Sequence, residues 1–134
     1  KVVSDLTTNT YRLTERVLDL ELKENAFTNI GYGLLTARGL FSRHSKSHSK
    51  QHIILVSDGD ATAPHPSPGR FAIKEAAKTI RKGITISCIC IDEENSDVDL
   101  MNKIARLGRG RTTLIEDSKS MKGALVEEMY GAAQ

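Results

Sequence analysis

The residues with the clearest chemical potential in this sequence are carboxylates, and they recur at one kind of place. Asp58 and Asp60 follow the run His52-Ile53-Ile54-Leu55-Val56-Ser57; Asp92-Glu93-Glu94 follow Ile84 to Ile91; Glu116-Asp117 follow Thr112 to Ile115. If these apolar runs are parallel strands, all the acids lie on one edge of the sheet, where open α/β sheets bind ligands. Crowded carboxylates repel one another unless a cation sits among them or water screens them. Oxygen donors without His or Cys favour Mg²⁺, Mn²⁺ or Ca²⁺ over zinc. The ordinary alternative is that acidic loop residues simply stay solvated. Thr28 has a similar double reading. It stands at the entrance of a helical pattern and is either an N-cap, worth about 1 kcal/mol, or a hydroxyl ligand for a cation on that edge.

The elements that would position these groups follow from hydrophobic periodicity. Val2, Val3 and Leu6 read as a short strand closed by Thr7-Thr8-Asn9. Leu13, Val17 and Leu20 form a helical stripe from Thr10, broken at Lys23-Glu24-Asn25. After Thr28-Asn29, Ile30, Leu34, Ala37 and Phe41 lie on one face of a second helix. Ser42 to Gln51 is a polar, basic loop, and the run from His52 to Val56 is a strand covered on both faces. Pro64, Pro66 and Pro68 punctuate a loop ending at Gly69. Ile73, Ala76, Ala77 and Ile80 make an amphipathic stripe stopped by Lys82-Gly83. A strand over Ile84 to Ile91 leads to a helix with Val98, Met101, Ile104 and Ala105, capped by Ser96 and closed at Gly108. A strand over Thr112 to Ile115 and a helix marked by Met121, Leu125 and Met129 complete the chain. Strands alternating with helices imply a doubly wound α/β fold, with a mostly parallel sheet and helices on both faces.

Composition narrows the functional classes. At 134 residues the chain reads as one domain, residues 1–134, and 39% hydrophobic with 27% charged residues is globular. Nineteen Lys and Arg against seventeen Asp and Glu leave a net charge of only +2, without the basic excess of a nucleic-acid binder. Aromatics are 4% and Trp is absent, which argues against a base-stacking platform. Two cysteines cannot build a disulfide scaffold. Cys88 and Cys90 lie two apart on a strand, pointing the same way, and read as buried thiols in a reducing cytoplasm. No apolar run approaches the roughly 20 residues of a membrane span.

Two motifs carry a resemblance. Phe27-Thr28-Asn29-Ile30-Gly31-Tyr32-Gly33-Leu34, followed by Ile53-Ile54-Leu55-Val56-Ser57-Asp58-Gly59, resembles the middle of a von Willebrand factor A domain. That family carries a Thr-Asn-Ile stretch before its third helix and a hydrophobic strand ending in Ser/Thr-Asp-Gly. The opening Val2-Val3-Ser4-Asp5-Leu6-Thr7 resembles the family's third strand, so the similarity covers essentially the whole chain. The resemblance implies a non-enzymatic protein-interaction module with a metal-ion-dependent adhesion site. In such a site Mg²⁺ or Mn²⁺ grips a partner's Asp or Glu carboxylate. Thr28 and Asp58 match the family's metal-binding Thr and Asp, with Ser57 and Asp60 supporting the loop. Hydroxyl ligands leave the ion incompletely neutralised, so it still attracts a carboxylate.

The family's Asp-x-Ser-x-Ser element has no counterpart. Asp117-Ser118-Lys119-Ser120 has its serines in the wrong places and follows the last strand. The expectation is an N-terminally truncated A domain lacking the first strand, first helix and second strand, with metal binding weak or absent. Phe71-Ala72-Ile73-Lys74-Glu75-Ala76, Ile89-Cys90-Ile91-Asp92 and Ala105-Arg106-Leu107-Gly108 are similar to prokaryotic members of the family. Among these are magnesium-chelatase D-type subunits and nitric-oxide-reductase activation proteins, which work with hexameric ATPases. Two further readings follow: an accessory subunit of an ATP-dependent chelatase or maturation complex, and a metal-free structural A-like domain.

Other signals are discounted. His44, His48 and His52 are spaced by four, but Ser-Lys-Ser neighbours are poor helix formers and lysines repel a cation. Gly31-Tyr32-Gly33 lacks the third glycine of a dinucleotide fingerprint, and there is no P-loop. Gly108-Arg109-Gly110-Arg111 reads as a helix-to-strand turn. Ser57 has no His base nearby in sequence for acyl transfer.

Overall fold

A computed structural model describes residues 2–19, 27–43, 50–91 and 97–133. The elements are α1 (Thr10–Leu18), α2 (Ile30–Arg43), β1 (His52–Ser57), α3 (Pro68–Arg81), β2 (Thr85–Ile91), α4 (Val98–Leu107), β3 (Arg109–Ile115) and α5 (Met121–Ala133), with a 3₁₀ turn at Ser118–Ser120 before α5. The strands form one parallel sheet in the order β1-β2-β3, with His52 opposite Thr85 and Cys88 opposite Thr112.

Strand β2 explains the architecture. Its residues Ile86 to Cys90 are all buried, as the continuous apolar run requires for a strand covered on both faces. The two-residue period divides them. Ile86, Cys88 and Cys90 join Ile53, Ala72, Ala76, Leu100, Met101 and Ile104 in the larger core under α2, α3 and α4. Ile89 points the other way, into a smaller cluster with Ile115 and Ala124 beneath α5. Burial of Cys88 pushes its thiol up to about 12, with Cys90 adding to the effect. Both cysteines are thiols, as expected, and Cys88 is inert.

Close approaches need small residues at two helix contacts. α2 lies against α3 so tightly that a Cβ on Gly31 would collide with the Phe71 ring. Gly108, which caps α4, would place a Cβ 2.5 Å from Ile86 Cβ.

Several expectations change in detail. Val2 to Leu6 is not a strand: the described residues contain three strands only, and this segment makes no ladder with any of them. Val2 and Val3 instead line an apolar groove with Leu13, Tyr32 and Leu40, while Arg16 Nη1 donates to Val3 O at 3.3 Å. The α4 cap is Asp97, whose side chain accepts from Leu100 N at 3.0 Å, whereas Ser96 lies outside the described residues. Strand β3 begins at Arg109, so Arg109-Gly110-Arg111 is strand rather than turn. The inward face of α3 is Ala72, Glu75, Ala76 and Thr79, leaving Ile73 and Ile80 partly exposed. On α5, Met129 is exposed and Glu128 is buried in its place. The break at residues 23–25, the acids at residues 92–94, His44 and His48 lie outside the described residues.

Candidate functional site at the carboxyl edge of the sheet

The C-terminal end of β1 holds the predicted site residues. Ser57 closes the strand, and its Oγ accepts from Gly59 N at 3.0 Å. Asp58 Oδ1 accepts from Asp60 N at 3.0 Å, a side-chain-to-backbone turn that fixes the loop leaving the sheet. Gly59 has φ +80, and a Cβ there would meet Asp97 O at 2.5 Å. Only glycine suits both the left-handed conformation and that approach. The loop is also tied to α4, because Asp97 N donates to Asp58 O at 3.0 Å.

Thr28 reaches the same edge from the other side. Its backbone N–H donates to Thr62 Oγ1 at 2.8 Å, and its carbonyl accepts from Thr62 N at 2.9 Å and Ala63 N at 3.1 Å. Thr28 is therefore clamped to the loop that Asp58 opens, and both residues are exposed.

Thr28 is not the N-cap of α2. Asn29 holds that place: its Oδ1 accepts from Tyr32 N at 2.8 Å and its carbonyl from Gly33 N at 3.1 Å. With the capping role taken by its neighbour, the Thr28 hydroxyl is spared that duty. The sequence signal was present, since Asn caps at least as well as Thr.

The third acidic segment behaves differently. Glu116 and Asp117 are exposed, and Asp117 Oδ1 accepts from Lys119 N at 3.0 Å within its own turn. Among the described residues, no three His, Cys, Asp or Glu side chains gather as a metal site. Among the described residues, Asp58, Asp60 and Thr28 are candidate oxygen donors at this edge. This set suits a hard cation in kind but supplies only part of a coordination shell.

The family model for the von Willebrand factor type A domain matches residues 1–128. The chain belongs to that family.

Solved structures show the same fold. BatB from Bacteroides thetaiotaomicron, a conserved hypothetical protein, superposes with a TM-score of 0.74 at 18% identity, covering 95% of this chain and 71% of that one. An aerotolerance-related membrane protein from Bacteroides fragilis, carrying multiple mutations to serines, gives 0.72 at 16% identity, covering 93% and 71%. An uncharacterised protein from Alicyclobacillus acidocaldarius gives 0.51 at 18% identity, covering 63% of this chain and 35% of that one. No curated protein matches the sequence. The A domain is in general a protein-interaction module rather than an enzyme. Among the described residues, no helix is long and apolar enough to cross a membrane.

Proposed function

We propose that this A domain grips a carboxylate of a partner protein through Mg²⁺ or Mn²⁺ at the carboxyl edge of its sheet. Thr28 and Asp58 would be ligands of the ion, and Ser57 and Asp60 would shape the loop. The clamp between the Thr28 backbone and Thr62-Ala63 supports this reading, because it ties the segment carrying Thr28 to the loop that begins at Asp58. Asn29 supports it by doing the capping work that would otherwise occupy Thr28.

When bound, the ion would supply one thing, an electrophilic centre for an external carboxylate. The chain's own residues do the rest. The Asp58–Asp60 turn aims the carboxylate, Gly59 lets the loop sit against α4, and the Thr28 carbonyl anchors the loop from behind. Mg²⁺ takes about six oxygens and keeps several waters. The 134 residues contain no Asp-x-Ser-x-Ser run, so the affinity of this chain alone is weak. A hexameric ATPase, the partner class of the chelatase-like relatives, would be one source of the carboxylate. The buried thiols suit a reducing compartment such as the cytoplasm.

Calorimetric titration with Mg²⁺ and Mn²⁺ tests the reading. Weak saturable binding is expected, removed by Asp58→Ala and by Thr28→Ala. Binding that survives both substitutions would place the ion elsewhere and end this proposal.

A further inference from the structure

The outer face of α3 carries charge of one sign. Arg70, Lys74, Lys78, Arg81 and the C-cap Lys82 are all exposed, and steps of three and four residues set them in one stripe about 18 Å long. The only acid of this helix, Glu75, points inward and is buried against Arg38. Lys78 Nζ reaches back to it at 3.3 Å. Among the described residues, Arg70, Lys74, Arg81 and Lys82 make no ion pair.

Helix stability explains only the far end of this stripe. Lys78, Arg81 and Lys82 lie at the C-terminus of α3, where cations complement the helix dipole. Arg70 and Lys74 have no such reason. Arg70 stands three residues after the N-cap Ser67, at the positive end of the dipole, where Glu or Gln would close a capping box. Ser67 makes no side-chain capping bond there. Arg70 with Lys74, Lys74 with Lys78 and Lys78 with Lys82 are like-charge neighbours four residues apart, which weakens a helix. Local rules are broken in this way where a surface has another task.

The stripe is also bounded. At its N-terminal end Asp97 and Asp99 stand with Arg70 and Lys103 around an open cleft of about 340 Å³, and the loop leading into α3 begins at Asp58 and Asp60. The whole chain has a net charge of only +2, so a face this basic leaves the remainder net acidic. A nucleic-acid duplex or an anionic bilayer is far longer than the stripe and would lay its charge over those acids as well. Ile73 and Ile80 beside the stripe are half-buried, which leaves no apolar anchor for a bilayer. A short acidic stretch of polypeptide fits within the basic span.

We propose that the outer face of α3 docks a short acidic segment of a partner protein. Asp and Glu carboxylates of that segment would pair with Arg70, Lys74, Arg81 and Lys82, all free of other ion pairs among the described residues. Exposed pairs are individually weak, so a row of them gives encounter rate and orientation more than tight binding. The surface needs no ion and stands apart from the metal reading at the carboxyl edge.

The test is fluorescence anisotropy of a labelled peptide of alternating Glu and Ser on the whole chain, with EDTA throughout so that no metal takes part. A Gln-Ser twin, a duplex DNA oligonucleotide and phosphatidylserine vesicles run beside it. Saturable binding of the Glu peptide is expected, weakened by added salt and absent for the twin. The double variant Arg70→Glu/Lys74→Glu should weaken binding about tenfold. Its Tm should hold or rise, because Glu three residues after the cap suits both the capping box and the dipole. That opposite movement separates a lost docking surface from a damaged fold. Lys119→Glu/Lys122→Glu makes the same change of net charge at exposed positions near α5, on the other side of the sheet, and should leave affinity unchanged. No saturation with the Glu peptide, equal losses in the two double variants, equal binding of the Gln twin, or tighter binding of DNA or vesicles would overturn the assignment.

Discussion

Arg38 on α2 and Glu75 on α3 form a buried ion pair, Nη2 to Oε2 at 2.7 Å, between side chains only 12% and 2% exposed. The guanidinium also donates from Nη1 to Glu75 O at 3.1 Å and to Thr79 Oγ1 at 3.2 Å. Lys78 Nζ meets the other carboxylate oxygen at 3.3 Å. One side chain thus ties together the two helices that Gly31 lets approach closely at its contact with Phe71. A buried carboxylate is tolerable only with this company, since desolvating an unpaired charge costs several kcal/mol.

Removing the guanidinium should therefore be far worse than removing an exposed charge. Arg38→Ala strands Glu75 and should destabilise by about 3 kcal/mol. Arg38→Lys should recover only part of this, because an ammonium cannot make the same spread of contacts. Urea unfolding of the two variants beside Glu75→Gln checks the argument. If Arg38→Ala falls within a few tenths of a kcal/mol of the parent, the pair contributes nothing.

The same pair sets an acid limb. Burial pushes the Glu75 carboxyl up, but hydrogen bonds and charge from Arg38 and Lys78 outweigh it and hold the group below its ordinary value of 4.5. A carboxyl depressed in the folded state binds its proton more readily when unfolded. Its contribution is therefore present above the unfolded value and is lost as pH falls through the folded one. Glu128, held low by Arg111 against its own burial, acts in the same direction. Stability measured by urea between neutral pH and acid should fall below about 4.5, and Glu75→Gln should flatten that fall. An unchanged slope in Glu75→Gln would assign the acid limb to other groups.

The capping geometry at α2 makes a separable pair of neighbours. Asn29→Ala removes the side chain that receives Tyr32 N and should cost about 1 kcal/mol. Thr28→Ala leaves that cap intact and keeps its backbone clamp to Thr62 and Ala63, so stability should hardly move. Under the proposed metal function the ranking reverses for Mg²⁺, with Thr28→Ala the more damaging. Thermal unfolding and metal titration of both variants read the two roles. A large stability loss in Thr28→Ala alone would show that the cap is misassigned.

The sequence carried the fold further than it carried the contacts. Unbroken apolar runs at β1 and β2 and turn residues such as Lys82-Gly83 fixed the alternation of strands and helices, because these signals are local. The α2 and α4 caps were each misplaced by one position, since Ser, Thr, Asn and Asp all cap well and only the backbone decides among neighbours. The Arg38–Glu75 and Arg111–Glu128 pairs were illegible because each joins separate elements. They also account for the misread faces: Glu75 and Glu128 point inward, which a rule based on apolar residues cannot anticipate. Val2 and Val3 have strand-forming side chains, but no partner strand among the described residues completes a ladder with them. For the proposed site, Thr28 and Asp58 are suggested by a family motif alone, whereas the clamp through Thr62 emerges only in three dimensions.

The two left-handed glycines allow strain and collision to be measured apart. Gly59 and Gly83 have nearly equal φ, +80 and +77, so an alanine suffers the same backbone penalty at each. At Gly83 the added Cβ meets nothing within 4 Å, and the substitution should cost only the conformational penalty, about 1 kcal/mol. At Gly59 the Cβ would lie 2.5 Å from Asp97 O and 2.9 Å from Met101 Cγ. The carbonyl belongs to the residue that caps α4 and donates its N–H to Asp58 O, so it cannot yield without loosening both the cap and the loop. Gly59→Ala should therefore be more destabilising than Gly83→Ala by a further 1–3 kcal/mol, roughly the range for overpacking. It should also weaken any Asp58-dependent metal binding that the parent shows, while Gly83→Ala leaves it alone. Chemical denaturation of the two variants gives the comparison directly, and equal losses would mean that the β1–α3 loop is free to shift away from α4.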